Sequence, residues 1–408
     1  MKQSILLLAI LIGFGSYAQK FEIPTKKHPF YDIIEWKGIG AILMSKDPQN
    51  TTRQINLTLI GDQQTSIWDQ KFIPKTEEFF YLSSENSRYV YFLDNLELTN
   101  GKVYFNQLNS AGNVKSNSVS IGAAIKKLGN YDYNNLEVIN AVVTDKALVH
   151  HFRYVDKKEK CVREFATFIT HHNFLCYAVE LGSVSNDKLK NGELYGQWKY
   201  IGFTGDQIFF ALRDYQSKKK GWSIKQYTSK GKPKLGTFIN APDDLISIEN
   251  IGFGTTGEYY LEDKNTVETG LISQINGEFY MMGAEKRDDG ATLILFKHNE
   301  GEWVEVNTMN LNYFIEKKTL KLGVYPVNEG LGYHLDHNGY NKVSLVSFTP
   351  DVTSPHNDFT DRTVYNPSSV LDRQETGEFT VNLPDAVLVF DTKQLADGMN
   401  VEFELKVK

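Results

Sequence analysis

The densest cluster of metal-capable side chains in the chain is Tyr333-His334-Leu335-Asp336-His337-Asn338. Two imidazoles and a carboxylate hold zinc when all three converge. On a strand, His334 and Asp336 share a face, while His337 begins the turn and falls on the other face. That geometry favours polar turn decoration over a metal centre. His150-His151 and His171-His172 follow the same logic. Neighbours on a strand point apart, so each pair is expected to have one partly buried and one exposed member. Serine-hydrolase, phosphate-loop and HExxH patterns are absent. Carboxylate pairs that cleave glycosidic bonds are set by separation in space, so the sequence nominates no pair for that work.

A second pattern involves acids. Seven times an apolar or aromatic run stops at a carboxylate: Asp47 after GAILMSK, Asp94 after VYFL, Asp156 after VHHFRYV, Asp214 after IFFALR, Glu285 after FYMMGA, Asp336 after GYHL and Asp391 after AVLVF. If each acid follows the same strand of a repeated unit, the seven turns share one end of the fold. Carboxylates gathered there would concentrate negative potential and attract a cation, calcium above all, or a basic partner surface. The plainer reading is that Asp opens turns because its side chain caps nearby backbone N–H groups.

The elements that would position these acids are strands. Asn100-Gly101, Asn191-Gly192, Asn276-Gly277 and Asn338-Gly339 mark tight turns. Phe, Tyr, Val, Ile and Thr fill the runs between them, as strands prefer. In each unit the run before the acid is nearly continuous in apolar residues, as in Val90–Leu93 and Ile208–Leu212, and is expected to be covered on both faces. The next run tends to alternate, with Ile55, Leu57 and Leu59 set against Asn56 and Thr58, so one of its faces is less well covered. The class is all-β.

Three segments repeat one plan of strand, acidic turn, strand, polar turn, strand. They begin at Asn86 (NSRYVYFLDNLELTNGKVYFNQLNSAGNVKSNSVSI), Gly205 (GDQIFFALRDYQSKKKGWSIKQYTSKGKPKLGTFI) and Asn276 (NGEFYMMGAEKRDDGATLILFKHNEGEWVEVNTM). At the level of architecture they resemble β-propeller blades, in which four antiparallel strands form each unit. No WD dipeptide or kelch glycine pair accompanies the resemblance, so it brings no family's activity with it. The acids recur at intervals between 47 residues (Asp47 to Asp94) and 71 residues (Asp214 to Glu285). That suits about seven four-stranded blades, with six and eight as neighbouring counts. The rival architecture is a row of tandem β-sandwich domains. The last unit ends on Val401–Val407, so in a propeller the segment around Phe21–Lys27 or Ile33–Trp36 would supply its missing strand and remove an open edge.

Lys2, the apolar stretch Ile5–Phe14 and the small residues Ser16-Tyr17-Ala18 read as a secretory signal spanning 1–18, cleaved before Gln19. The stretch is too short to span a bilayer, and no other run reaches that length. The propeller is then expected over 19–408, exported to the periplasm or medium. Removing Met1–Ala18 takes Lys2 and no acid, leaving 43 basic against 50 acidic residues and a charge of −7. Short basic clusters such as Lys218–Lys220 fall in expected turns and give no basic face for nucleic acid. Cys161 and Cys176 sit on two runs that read as one hairpin turning at His171–His172. There Cys161 faces roughly residue 182, too far from Cys176 for a bridge, which favours free thiols over a disulfide. Together these features lead to an exported monomeric scaffold that binds an envelope or extracellular protein or glycan through its loops. The alternative is a hydrolase or lyase acting on polysaccharide with channel carboxylates.

Overall fold

The structure is a computed structural model that describes residues 19–22, 30–36, 39–46, 54–61, 66–73, 80–83, 88–93, 98, 100–185, 198–214, 221–240, 258–261, 268–275, 277–287, 290–311, 320–327, 330–337, 346–348, 377–382, 386–395 and 398–407. Among these residues, regular structure is almost entirely antiparallel strand. The chain divides into two compact units, Met1–Lys71 with Arg373–Lys408, and Phe72–Asp372.

The first unit joins the beginning of the chain to its end. It comprises β1 (Gln19–Glu22), β2 (Phe30–Trp36), β3 (Gly40–Lys46), β4 (Ile55–Ile60) and β5 (Ser66–Phe72), with β26 (Gly377–Asn382), β27 (Ala386–Leu395) and β28 (Gly398–Val407). They form one eight-stranded sheet in the order β26-β27-β28-β2-β3-β4-β5, with β1 also on β28. Gln19 to Glu22 run opposite Leu405 to Glu402, whereas β2 touches β28 only through Phe30 and Met399. The sheet is thus two four-stranded runs, β26-β27-β28-β1 and β2-β3-β4-β5, joined at a single residue pair. Strand β3 carries a continuous buried stretch, Ala41–Met44, while β4 buries Ile55, Leu57 and Leu59 between half-buried Asn56 and Thr58.

The second unit holds five four-stranded sheets. The first three are β6 (Phe80–Ser83) to β9 (Val114–Ser120) through β7 (Tyr89–Leu93) and β8 (Lys102–Asn109); β10 (Leu136–Val143), β11 (Ala147–Asp156), β12 (Cys161–Thr170) and β13 (Cys176–Ser185); and β14 (Trp198–Thr204), β15 (Gln207–Asp214), β16 (Gly221–Thr228) and β17 (Thr237–Asn240). Strand β18 (Glu258–Leu261) comes next, but it pairs with β23 (Leu320–Val327) in a sheet completed by β24 (Gly330–His337) and β25 (Val346–Phe348). The whole of the remaining sheet, β19 (Glu268–Ile275), β20 (Glu278–Arg287), β21 (Gly290–Asn299) and β22 (Glu302–Leu311), is inserted between β18 and its partner. One short helix, α1 (Ile121–Ile125), follows β9 and is capped by Ser120, whose hydroxyl accepts from the N–H of Ala123.

Alternate residues of one strand feed different cores, and this separates a propeller from tandem sandwiches. On β11, Leu148 and Phe152 pack with Tyr91, Phe105 and Val103 of the preceding sheet. Ala147 and Val149 face the other way, with Trp198, Ile208 and Phe210 of the following sheet. On β15, Ile208 and Phe210 join that second core, while Phe209 and Ala211 enter a third with Ile272 and Met281. A sandwich would leave one face of each sheet to solvent; here each of these sheets is a layer between two others. Burying one large apolar side chain contributes about 1.5–3 kcal/mol, and the contribution falls on both faces of each central strand. The fold is an all-β propeller.

The first strand of several sheets is kinked. The ladder slips by a residue in β2 between Phe30 and Asp32, in β10 between Val138 and Asn140, in β14 between Tyr200 and Gly202, and in β19 between Thr269 and Ile272. Such bulges sharpen the local twist. At Gly202 the kink needs glycine for two reasons: φ is +138°, and a Cβ there would lie 2.2 Å from the carbonyl oxygen of Gln274 on β19. Strands β14 and β19 therefore meet backbone to backbone.

Candidate functional site

Within each four-stranded sheet the connections divide by end. The β10–β11 and β14–β15 turns are Thr144–Lys146 and Gly205–Asp206, and the β12–β13 turn is His171–Leu175. At the opposite end β9, β13 and β17 stop and the chain leaves one sheet for the next, the described connection being Ile121–Asn135. Strands β11 and β15 end there too, on Asp156 and Asp214.

The best-defined group at this loop-bearing end surrounds Asp156. Its Oδ1 accepts from the backbone N–H groups of Lys158 (3.1 Å) and Glu159 (3.0 Å), closing the β11–β12 turn. Arg163 donates from Nε to Asp156 Oδ2 at 3.2 Å and from Nη1 to Glu180 Oε1 at 3.0 Å. Tyr131, in the connection after α1, donates to Glu180 Oε2 at 3.3 Å, and the guanidinium lies 5.9 Å from its ring centre. The Glu159 N–H, followed by Arg163, holds the Asp156 carboxyl below the usual carboxylate range. Burial pushes the nearby Cys161 thiol up, which makes it a poor nucleophile at neutral pH. Chemically this is an ordered ionic clamp. Arg163 takes the position between two carboxylates that a cation would need.

Deeper polar groups join sheet to sheet. His171 is buried, and its Nε2 lies 2.8 Å from the carbonyl oxygen of Thr144, which only accepts. Nε2 therefore carries the proton, and Nδ1 accepts from the Tyr91 hydroxyl at 2.6 Å. Gln107 Nε2 donates to that hydroxyl (2.6 Å) and to the carbonyl of His171 (2.9 Å). Burial lowers His171 to about 4 and raises Tyr91. On the other side of the β10–β13 sheet, Glu164 Oε2 accepts from His151 Nε2 and from the backbone N–H of Trp198, each at 2.9 Å. Burial also lowers Lys199 to about 8, with Glu164 drawing it back up, and raises the half-buried Asp145.

The acids named from the sequence divide. Asp47 and Asp94 lie outside the described residues. Asp156 caps its own turn through backbone N–H groups, as turn-opening aspartates do, and Asp214 ends β15 opposite Gly221. Three acids are not in turns: Glu285 pairs with Thr292 inside β20–β21, Asp336 with Lys321 inside β23–β24, and Asp391 with Glu402 inside β27–β28. Their strands continue past the acid because the partner strand is long enough to keep pairing. His334 and His337 are also on β24, opposite Gly323 and Leu320. Among the described residues, no group of three or more His, Cys, Asp or Glu side chains is placed to hold a metal ion. Both cysteines are free thiols; Cys161 pairs with Ser185, and Cys176 with Ile169 at the other end of the hairpin.

The histidine expectation holds at one pair only. His171 is buried and His172 exposed, but His150 and His151 are both buried, at 1% and 2% exposure, because β11 is covered on both faces. The sequence reasoning passed over Arg163, Glu180 and Tyr131 altogether. The alternation of Arg163 with buried Val162 and Glu164 carried no charge pattern that set it apart.

No family model matches the chain, and no curated protein matches it. Among solved structures it is similar to an oligogalacturonate lyase in complex with manganese, at 9% identity over 97% of this chain and 94% of that one, with a TM-score of 0.42. It is also similar to the β-propeller domain of the Trilobed protease from Pyrococcus furiosus, at 8% identity over 95% of this chain and 96% of that one, with a TM-score of 0.43. The propeller architecture itself rests on the four-stranded sheets and the cores they share.

Proposed function

We propose that the protein is an exported, non-enzymatic scaffold that holds another macromolecule, a protein or a glycan, against the loop-bearing end of its propeller sheets. The observation that carries this reading is the unequal distribution of chain. Strands β9, β13 and β17 stop at one end of their sheets, where Ile121–Asn135 forms a long described connection and 12 and 17 residues of chain separate β13 from β14 and β17 from β18, and tight turns close much of the other end. Extended loops on a rigid scaffold are where binding residues concentrate. The Asp156–Arg163–Glu180 clamp supports it by fixing the turn that presents Lys157, Lys158 and Lys160 to solvent.

Immobilised protein is expected to retain a partner from the envelope or culture medium. A variant with Lys157, Lys158 and Lys160 changed to Ala and 186–197 replaced by a short Gly-Ser linker is expected to lose it. No capture by the unsubstituted protein, or equal capture by both, would overturn the assignment. Calcium is the cofactor this reading accommodates, with Asp214 the described strand-end acid left to contribute once Arg163 holds Asp156. Excess calcium is then expected to raise the melting temperature relative to chelator, and superimposable curves would remove the ion from the proposal.

A further inference from the structure

The layer between the β6–β9 and β10–β13 sheets is built mainly from large apolar side chains. One row across the second sheet departs from this: Ala141, His150, Thr167 and Ala178, one residue from each strand, stand side by side. Alternation along β11 puts His150 on the same face as Leu148 and Phe152, which pack with Tyr91 and Phe105. Thr167 shares that face with Phe165 and Ile169. Both polar side chains are shut in, at 1% and 0% exposure. Among the described residues, neither His150 Nδ1 nor Thr167 Oγ1 has a hydrogen-bond partner.

The two orphaned atoms belong to one spot. His150 and Thr167 are directly opposite in the β11–β12 ladder, where facing Cβ atoms lie about 5 Å apart. The imidazole is not free to search elsewhere, because its ring stacks on Phe152 at 5.8 Å and 14°. The other polar groups of this layer, Tyr91, Gln107 and His171, bond with one another. The adjoining rows carry Val143, Leu148 and Ile169 on one side and Phe152 and Phe165 on the other. Here both outer positions are alanine, whose short side chains leave the row less filled than its neighbours. Buried polar atoms left unpaired are costly, and proteins place ordered water where two or more of them converge.

We propose that this row is a binding site for one water molecule, held between His150 Nδ1 and Thr167 Oγ1 and sealed between the two sheets. Water suits both anchors because it donates and accepts. It satisfies Nδ1 whether or not that nitrogen bears the ring proton, and the threonine hydroxyl rotates to match. An ion does not suit, since no charged side chain lies in the row to offset its burial. The site is internal, so it stands apart from partner capture at the loop-bearing end.

The test is a crystal structure of the full chain at about 1.5 Å, joined to melting curves of two variants. In the parent, one density peak within about 3.2 Å of both His150 Nδ1 and Thr167 Oγ1 is expected. Thr167→Val keeps the shape and removes one anchor, so it is expected to melt about 1–3 °C lower. The sign of that shift is informative: a hydroxyl that was merely stranded would be relieved by valine, and the melting temperature would rise. His150→Leu combined with Thr167→Val removes both anchors and is expected to melt above Thr167→Val alone. A parent row without density, a direct His150–Thr167 hydrogen bond, or a higher melting temperature for Thr167→Val would each overturn the proposal. The parent crystal decides the matter even where a variant fails to fold.

Discussion

Lowering the pH from 6.5 to about 4 is expected to remove as much as about 3 kcal/mol of stability for each of two buried histidines, His150 and His171. Burial lowers both imidazoles from 6.5 to about 4 in the folded protein. Between those values the unfolded chain binds protons that the folded one refuses, so stability falls as pH falls. Above the unfolded value neither group contributes, and below about 4 the loss is complete. The His171 contribution is tied to its tautomer: a proton on Nδ1 removes the acceptor that the Tyr91 hydroxyl uses. At His150, Nδ1 has no hydrogen-bond partner, and neither does Oγ1 of Thr167 directly across the ladder. His150→Leu should therefore change neutral-pH stability by only about 1 kcal/mol while removing roughly half of the acid dependence. Thermal melts from pH 8 to pH 4 on both proteins decide the matter, and a melting temperature flat across that window would refute the assignment.

Glu164→Ala is expected to destabilise the protein by about 3–5 kcal/mol, the usual consequence of removing one partner from a buried pair. The carboxylate is 3% exposed and accepts from two donors on different sheets, His151 Nε2 and Trp198 N–H. Without it both donors are stranded between packed layers, with the weakly solvated ammonium of Lys199 nearby. Changing Glu164 and His151 together to Leu removes the stranded imidazole but leaves the Trp198 N–H without its acceptor, so it should recover only part of the loss. Chemical denaturation of the parent, the single variants and the double variant measures both effects. A single-variant loss under about 1 kcal/mol would show that the contact does not hold the two sheets together.

The strands were largely legible in the chain because their apolar runs are long and their turns carry glycine. The segments from Asn86, Gly205 and Asn276 hold the second, third and fourth strands of three sheets, and the continuous run Val90–Leu93 is buried throughout. What was not legible depends on partners far away in sequence. Glu258–Leu261 pairs with Leu320–Gly323 across a complete intervening sheet, and nothing local in either segment records that. The β12–β13 turn is centred on His172–Asn173 instead of His171–His172, and a slip between Glu164 and Phe165 adds one more residue, so Cys161 falls opposite Ser185; pattern alone reveals neither. The end of a strand was the least readable feature. Apolar runs stop at Glu285 and Asp391, but pairing continues to Arg287 and Leu395. The candidate site lay further out of reach, since Tyr131, Asp156, Arg163 and Glu180 meet only after α1 and two hairpins have closed.

The pairing of Gln19–Glu22 with Glu402–Leu405 sets a timetable for synthesis. The earliest residues of this sheet to emerge must wait, without their partner, for almost the last ones. Until then β1 presents bare backbone groups to any chaperone or protease it meets. A ribosome stalled short of Gly398 would release a chain whose leading strand has nowhere to go.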